Sequence, residues 1–115
     1  MTALDILRSY FSAYERKDRP ALEVLLAEDF TFTSPNDDDH INTARYFEKC
    51  WPGSANIQRF LILDLIDNGK EAFIRYECEM VDGKRFRNTE YFRLEGDKVR
   101  EVDVYFGRDV TSTSA

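Results

Sequence analysis

The chain has 115 residues, of which 43% are hydrophobic and 33% charged, with a net charge of −6. That balance describes one soluble globular domain with room for a core, and the acidic surplus without a Lys/Arg stripe excludes a nucleic-acid partner. No apolar run approaches the roughly 18 residues of a bilayer span, and residues 1–17 lack a secretory cleavage pattern, so a cytoplasmic protein off the membrane is expected.

Thr2 can cap a first helix in which Leu4, Leu7, Tyr10, Phe11 and Tyr14 recur at helical spacing up to about Lys17. Asp18 caps a second helix with Pro20 in its first turn and Leu22, Leu25 and Leu26 on its buried face. Phe30 to Thr33 alternates as a short strand that stops at Ser34-Pro35. Asn36 to Asp39 make an acidic loop, and from about Ile41 a third helix carries Ala44, Phe47 and Trp51 inward until Pro52-Gly53. Four strands follow at about 57–67, 71–81, 85–95 and 98–106, joined at Asn68-Gly69, Asp82-Gly83 and Glu95-Gly96-Asp97. The domain is expected to span 1–110, and 111–115 to be a frayed tail. Helices first and strands second is an α+β signature.

The strand at 71–81 poses the main functional question. Period two sends Ile74, Tyr76, Cys78 and Met80 to one face and Phe73, Arg75, Glu77 and Glu79 to the other. Simple burial turns the apolar set inward. If the charged set lined a cavity instead, Arg75 would hold one carboxylate ionised while burial raised its neighbour, pairing a base with an acid. His40, the only histidine, adjoins Asp37, Asp38 and Asp39. It is a candidate acid/base at a cavity rim, or else part of a solvated loop that caps the third helix. Cys50 and Cys78 fit no disulfide or zinc pattern and read as inert thiols. No metal site and no nucleotide or organic cofactor is implied, because no EF-hand, P-loop or G-x-G-x-x-G occurs.

Tyr10 to Asp18, Ala21 to Pro35, and Asn88 to Val99 running on to Tyr105-Phe106-Gly107 resemble SnoaL-like and ketosteroid-isomerase-like proteins of the nuclear-transport-factor-2-like superfamily. The resemblance covers about residues 3–107. It implies a cone: a curved antiparallel sheet wrapped around N-terminal helices, the cystatin-like α+β barrel. It also implies a pocket for a small apolar organic ligand, a homodimer through the outer sheet face, and no cofactor. By the same likeness Arg75, Glu77 and Glu79 point into the cone, with Val102, Val104 and Phe106, while Ile74, Tyr76, Cys78 and Met80 form the dimer surface.

The isomerases' oxyanion tyrosine matches Tyr10 and their oxyanion acid matches Glu90. Ser34, just before Pro35, stands at their base position, where a hydroxyl cannot act unaided. Arg75-Tyr76-Glu77 resembles the Arg-x-Asp pair of limonene epoxide hydrolase, whose second carboxylate would fall at Val104. The roles expected are Glu77 as base, Arg75 as its orienting partner, Glu90 or Tyr10 as hydrogen-bond donor, and His40 at the rim. Tyr14, Phe32, Ser34, Phe47, Trp51, Glu79 and Phe92 complete the expected pocket with Val102, Val104 and Phe106. The function implied is small-molecule binding, with cofactor-free isomerisation, cyclisation or hydrolysis. The alternative is a non-catalytic binding or dimerisation module whose cone is plugged by its aromatics.

Overall fold

The computed structural model describes residues 1–111, so of the expected tail Ser112–Ala115 lies outside the described residues. Thr111 itself is tied down, because its Oγ1 donates to the Arg85 carbonyl at 3.2 Å. Helix α1 (Ala3–Arg16) opens on a capping box in which Thr2 and Asp5 satisfy each other's backbone N–H groups. It ends where Lys17 takes a left-handed conformation, φ 57°. Helix α2 (Arg19–Leu25) starts on Asp18, whose Oδ1 accepts from the Ala21 N–H at 3.1 Å.

Strand β1 (Leu26–Thr33) follows without a break, four residues earlier than its alternating pattern begins. The expected third helix is divided. Ile41–Asn42 forms β2 against β1, α3 is confined to Thr43–Lys49, and Trp51–Asn56 is a 3₁₀ helix around Pro52. The cap of α3 is Asn42, whose side chain accepts from the Arg45 N–H at 3.0 Å, and not the aspartates before it. The four long strands lie where hairpin chemistry puts them: β3 (Ile57–Asp67), β4 (Glu71–Met80), β5 (Arg85–Glu95) and β6 (Lys98–Asp109).

The strands form one sheet in the order β2-β1-β6-β5-β4-β3. All neighbours are antiparallel except β1 and β6, which run parallel with Phe32 opposite Val102. Register breaks in β3 and in the β5–β6 pair curl the sheet, as bulges do, so that it half-encloses the helices without closing. This is the α+β cone that the sequence implies. Among the described residues no helix is long and apolar enough to cross a membrane.

Ile6, Leu7, Tyr10, Phe11 and Ala13 of α1 are buried against the concave face, where Ala72, Ile74, Tyr76 and Cys78 of β4 sit beside Phe92 and Leu94 of β5. The expectation for β4 is therefore reversed. Its apolar set faces the helices, and Arg75, Glu77 and Glu79 lie on the convex side. Ile74, Tyr76 and Cys78, proposed above as a dimer surface, are core. The physical reason is the cost of desolvating three charges where an apolar face is available for burial. On the convex side each charge finds a partner: Arg75 meets Asp64 at 2.6 Å, Glu77 meets Arg85 at 3.0 Å, and Glu79 meets Arg59 at 3.6 Å.

Candidate functional site

Helical spacing sets Tyr10, Phe11 and Tyr14 along the inner side of α1, where they meet the concave sheet. Tyr46, fully buried on α3, joins two of them from behind: its hydroxyl lies 2.7 Å from that of Tyr10 and also bonds that of Tyr14. Burial pushes all three phenols above their ordinary range, so at neutral pH they are donors and not bases.

Opposite them the alternation of β5 turns Asn88, Glu90 and Phe92 inward. Glu90 is only 6% exposed and sits between Ile74 of β4 and Val104 of β6. The Gly107 N–H donates to Asn88 Oδ1 at 3.2 Å, which settles which way the amide points. Asn88 Nδ2 then donates to the Tyr76 hydroxyl at 3.2 Å, and that hydroxyl donates to Glu90 Oε2. The chain of donors ends on the carboxyl. Burial pushes Glu90 up to about 7, and the bond from Tyr76 opposes that rise by favouring the ionised form. A carboxyl poised there can take or give a proton near neutral pH.

Between these walls lies an open cavity of about 480 Å³. Tyr10, Phe11, Tyr14, Phe60, Tyr76, Glu90 and Val104 line it, together with Phe32, Ser34, Asp37, Lys49, Cys50 and Phe106. Ser34-Pro35-Asn36-Asp37 turns back on itself, the Asp37 N–H donating to the Ser34 carbonyl at 3.1 Å. That turn brings the Asp37 carboxylate to the cavity, where Oδ2 accepts from Ser34 Oγ at 2.6 Å and from Cys50 Sγ at 3.6 Å. Burial, and then Asp37, push the Cys50 thiol up to about 12, and burial does the same to Cys78, so neither is a ready nucleophile.

Of the expected site residues, Tyr10, Tyr14, Phe32, Ser34, Glu90, Val104 and Phe106 meet at this cavity. Others do not. Arg75, Glu77 and Glu79 are outside the cone, and Glu77 is held by Arg85 and Arg87. Phe92 and Val102 are core beneath the cavity wall. Phe47 packs under the Arg19 guanidinium, 4.4 Å from its ring centroid, and Trp51 lies edge-on to Tyr14. His40 is exposed, at φ 57°, with Nδ1 2.9 Å from Asp39 and Nε2 3.5 Å from Glu101 on the outer face. Both partners raise its pKa, Asp39 the more.

Asp37, Tyr76 and Asn88 were not among the expected site residues. Period-two burial points Tyr76 and Asn88 inward, and the Ser-Pro turn is the only local sign for Asp37. Among the described residues, no three His, Cys, Asp or Glu side chains are grouped so as to hold a metal ion.

Residues 7–102 match the model of the SnoaL-like domain. The chain belongs to the SnoaL-like family. No protein of curated function matches it. Solved structures share the fold at low identity. A Kribbella flavida protein is 19% identical with a TM-score of 0.79, covering 93% of this chain and 88% of its own. A second K. flavida protein, described as a candidate ketosteroid isomerase, is 18% identical at TM-score 0.73, covering 90% and 76%. A Catenulispora acidiphila protein with a ketosteroid-isomerase-like fold, solved with trimethylamine, is 16% identical at TM-score 0.72, covering 93% and 88%.

Proposed function

We propose that the cone receives a small, largely apolar organic molecule and that Glu90 moves a proton on it. The carrying observation is a carboxyl that burial poises near neutrality and Tyr76 holds by a hydrogen bond, at the wall of an aromatic cavity large enough for a ligand. In its ionised form Glu90 is the base that removes a proton from the bound molecule. Tyr10 and Tyr14, held neutral by burial, are the donors for an oxygen that gains charge as that proton leaves. The proton then sits on Glu90, which returns it at another atom of the bound molecule, while Asp37, a second carboxylate beside Ser34, orients that molecule or a water. The reaction class is cofactor-free isomerisation, cyclisation or hydrolysis. One neighbour described as a candidate ketosteroid isomerase, and another solved with trimethylamine, support reading the cone as a receptor for small molecules. Arg75 and Glu77 take no part. A second copy of the chain on the convex sheet face and a reducing, cytoplasmic setting for the two free cysteines complete the reading.

The test is a thermal-shift screen against cyclic enones, epoxides, lactones, aromatic acids and amines, followed by turnover assays on each hit. A ligand at about 100 times its dissociation constant stabilises the fold by roughly 2.7 kcal/mol, a clear shift. Glu90→Gln is expected to retain binding and lose turnover by at least 100-fold, the lower range for a positioned general base. Binding with no turnover in either protein would leave a receptor without chemistry. No binding across the panel would remove the reading altogether.

A further inference from the structure

The cavity is asymmetric in charge. Its lining holds two carboxylates, Glu90 and Asp37, and a single cation, Lys49, which is exposed. No arginine or histidine lines it. Arg75, Arg85 and Arg87 are committed to carboxylates on the convex face, and His40 to Asp39 and Glu101 outside. An anionic ligand would therefore meet like charge with no counter-ion at depth. A neutral ligand would leave the charge of ionised Glu90 uncompensated.

The rest of the wall suits a cation equally well. Phe11, Phe60 and Tyr76 form a contiguous cluster, with Phe60 4.8 Å from Phe11 and 5.2 Å from Tyr76 between centroids, and Tyr14 and Phe86 also line the space. Electron-rich ring faces with a carboxylate among them attract a desolvated ammonium group and also accept its apolar substituents. From this arrangement we infer that the ligand is an organic cation: a positively charged nitrogen bearing apolar groups, seated among the rings with its charge toward Glu90 and Asp37. The inference rests on the cone being a ligand receptor, and it names the ligand's class.

Binding is then linked to the Glu90 proton. The titratable groups that face Glu90 are Tyr76 and Cys78 from β4 and Tyr10 and Tyr14 from α1, with Asp37, Cys50 and Lys49 on the same cavity and the uncharged Val104 beside it on β6. The four that face it stay neutral near pH 7, so Glu90 is the group that changes charge. A fixed cation favours the ionised carboxyl and releases the proton held below about pH 7.

Calorimetry with choline and with dimethylbutanol, its uncharged carbon isostere, tests this from about pH 5 to about pH 8, with the buffer's ionisation heat varied to count protons. Choline is expected to bind at least tenfold tighter than the isostere. Its affinity should rise up to tenfold per pH unit below 7 and level off above, with proton release over the rising limb. Glu90→Gln should abolish that slope and leave the isostere unchanged. Asp37→Asn, at the cavity border, should weaken choline severalfold and keep the slope, which preserves the test if the buried substitution misfolds. Equal or tighter binding of the isostere overturns the cation and leaves the receptor standing. Silence from both probes, together with silence across the wider panel, overturns both.

Discussion

Glu90 loses its proton near pH 7 in the folded chain, against an ordinary value of 4.5. Between those values the folded form holds more protons than the unfolded one, so this group makes stability fall as pH rises through the window. The loss amounts to about 3 kcal/mol in all and is complete above it. Glu90→Gln removes the ionisable group and keeps its shape. Urea unfolding of the two proteins at several pH values should show Gln gaining on Glu by about that amount between pH 4.5 and pH 7, with no further change above. A constant difference would mean that the carboxyl ionises at its ordinary value. Comparing the two proteins also cancels His40, whose raised value adds a loss of its own on the same side. The residue scale was partly legible in the sequence. Tyr10 and Glu90 follow from family likeness, whereas Tyr76 is expected on the outer face, because alternation groups it with Ile74 and Cys78 without choosing their side. Arg75 and Glu77 misled because a same-face row of charges reads alike on either side of a sheet, and only the helices packed against one side break the tie. Asp37 reaches the cavity through a turn and a contact with Cys50 that no local periodicity records.

Hairpin signals carry the elements well, since Asn68-Gly69 and Asp82-Gly83 supply the positive φ values, 90° at each glycine, that their turns require. The pairing of β1 with β6 is of another kind. It joins two ends of the chain in parallel, and its register is set by the core beneath rather than by any turn. The sheet's bend likewise depends on a contact invisible in sequence. Gly107 lies against Arg87, where an added Cβ would stand 2.2 Å from the Arg87 carbonyl oxygen. The same glycine N–H orients Asn88, the first donor in the chain that ends on Glu90. Gly107→Ala must therefore push β5 and β6 apart at the register break, costing about 1–3 kcal/mol, the range of other overpacked sites. Gly53→Ala, with nothing within 4 Å of its added Cβ, should stay within about 0.5 kcal/mol of the parent. Urea midpoints of the two variants measure the difference. Equal midpoints would show that the strands yield there without strain.

At the scale of the whole molecule, the convex face combines two kinds of surface. Ion pairs such as Arg75–Asp64 and Arg93–Glu101 cover much of it and, being exposed, contribute little each to stability. Among them stand apolar side chains from three strands: Leu61 and Ile66 of β3, Phe73 of β4 and Tyr105 of β6, with Ile66 at 74% and Phe73 at 51% exposure. Phe73 packs tilted against Tyr91 of β5, its partner across the strand register, and its ring stays exposed. A patch of large apolar groups rimmed by paired charges is the composition of an interface, the charges setting register and the rings supplying burial. Because the face offers both charge signs, two copies related by a two-fold axis can set opposite charges against each other. We therefore expect light scattering to report a dimer, and Phe73→Glu to report a monomer whose circular dichroism is unchanged, since Phe73 is not part of the core. The cavity opens on the other side of the sheet, so the monomeric variant should bind ligand as the parent does. A parent that is monomeric at high micromolar concentration would leave this face without a second copy, and the cone's chemistry would stand alone.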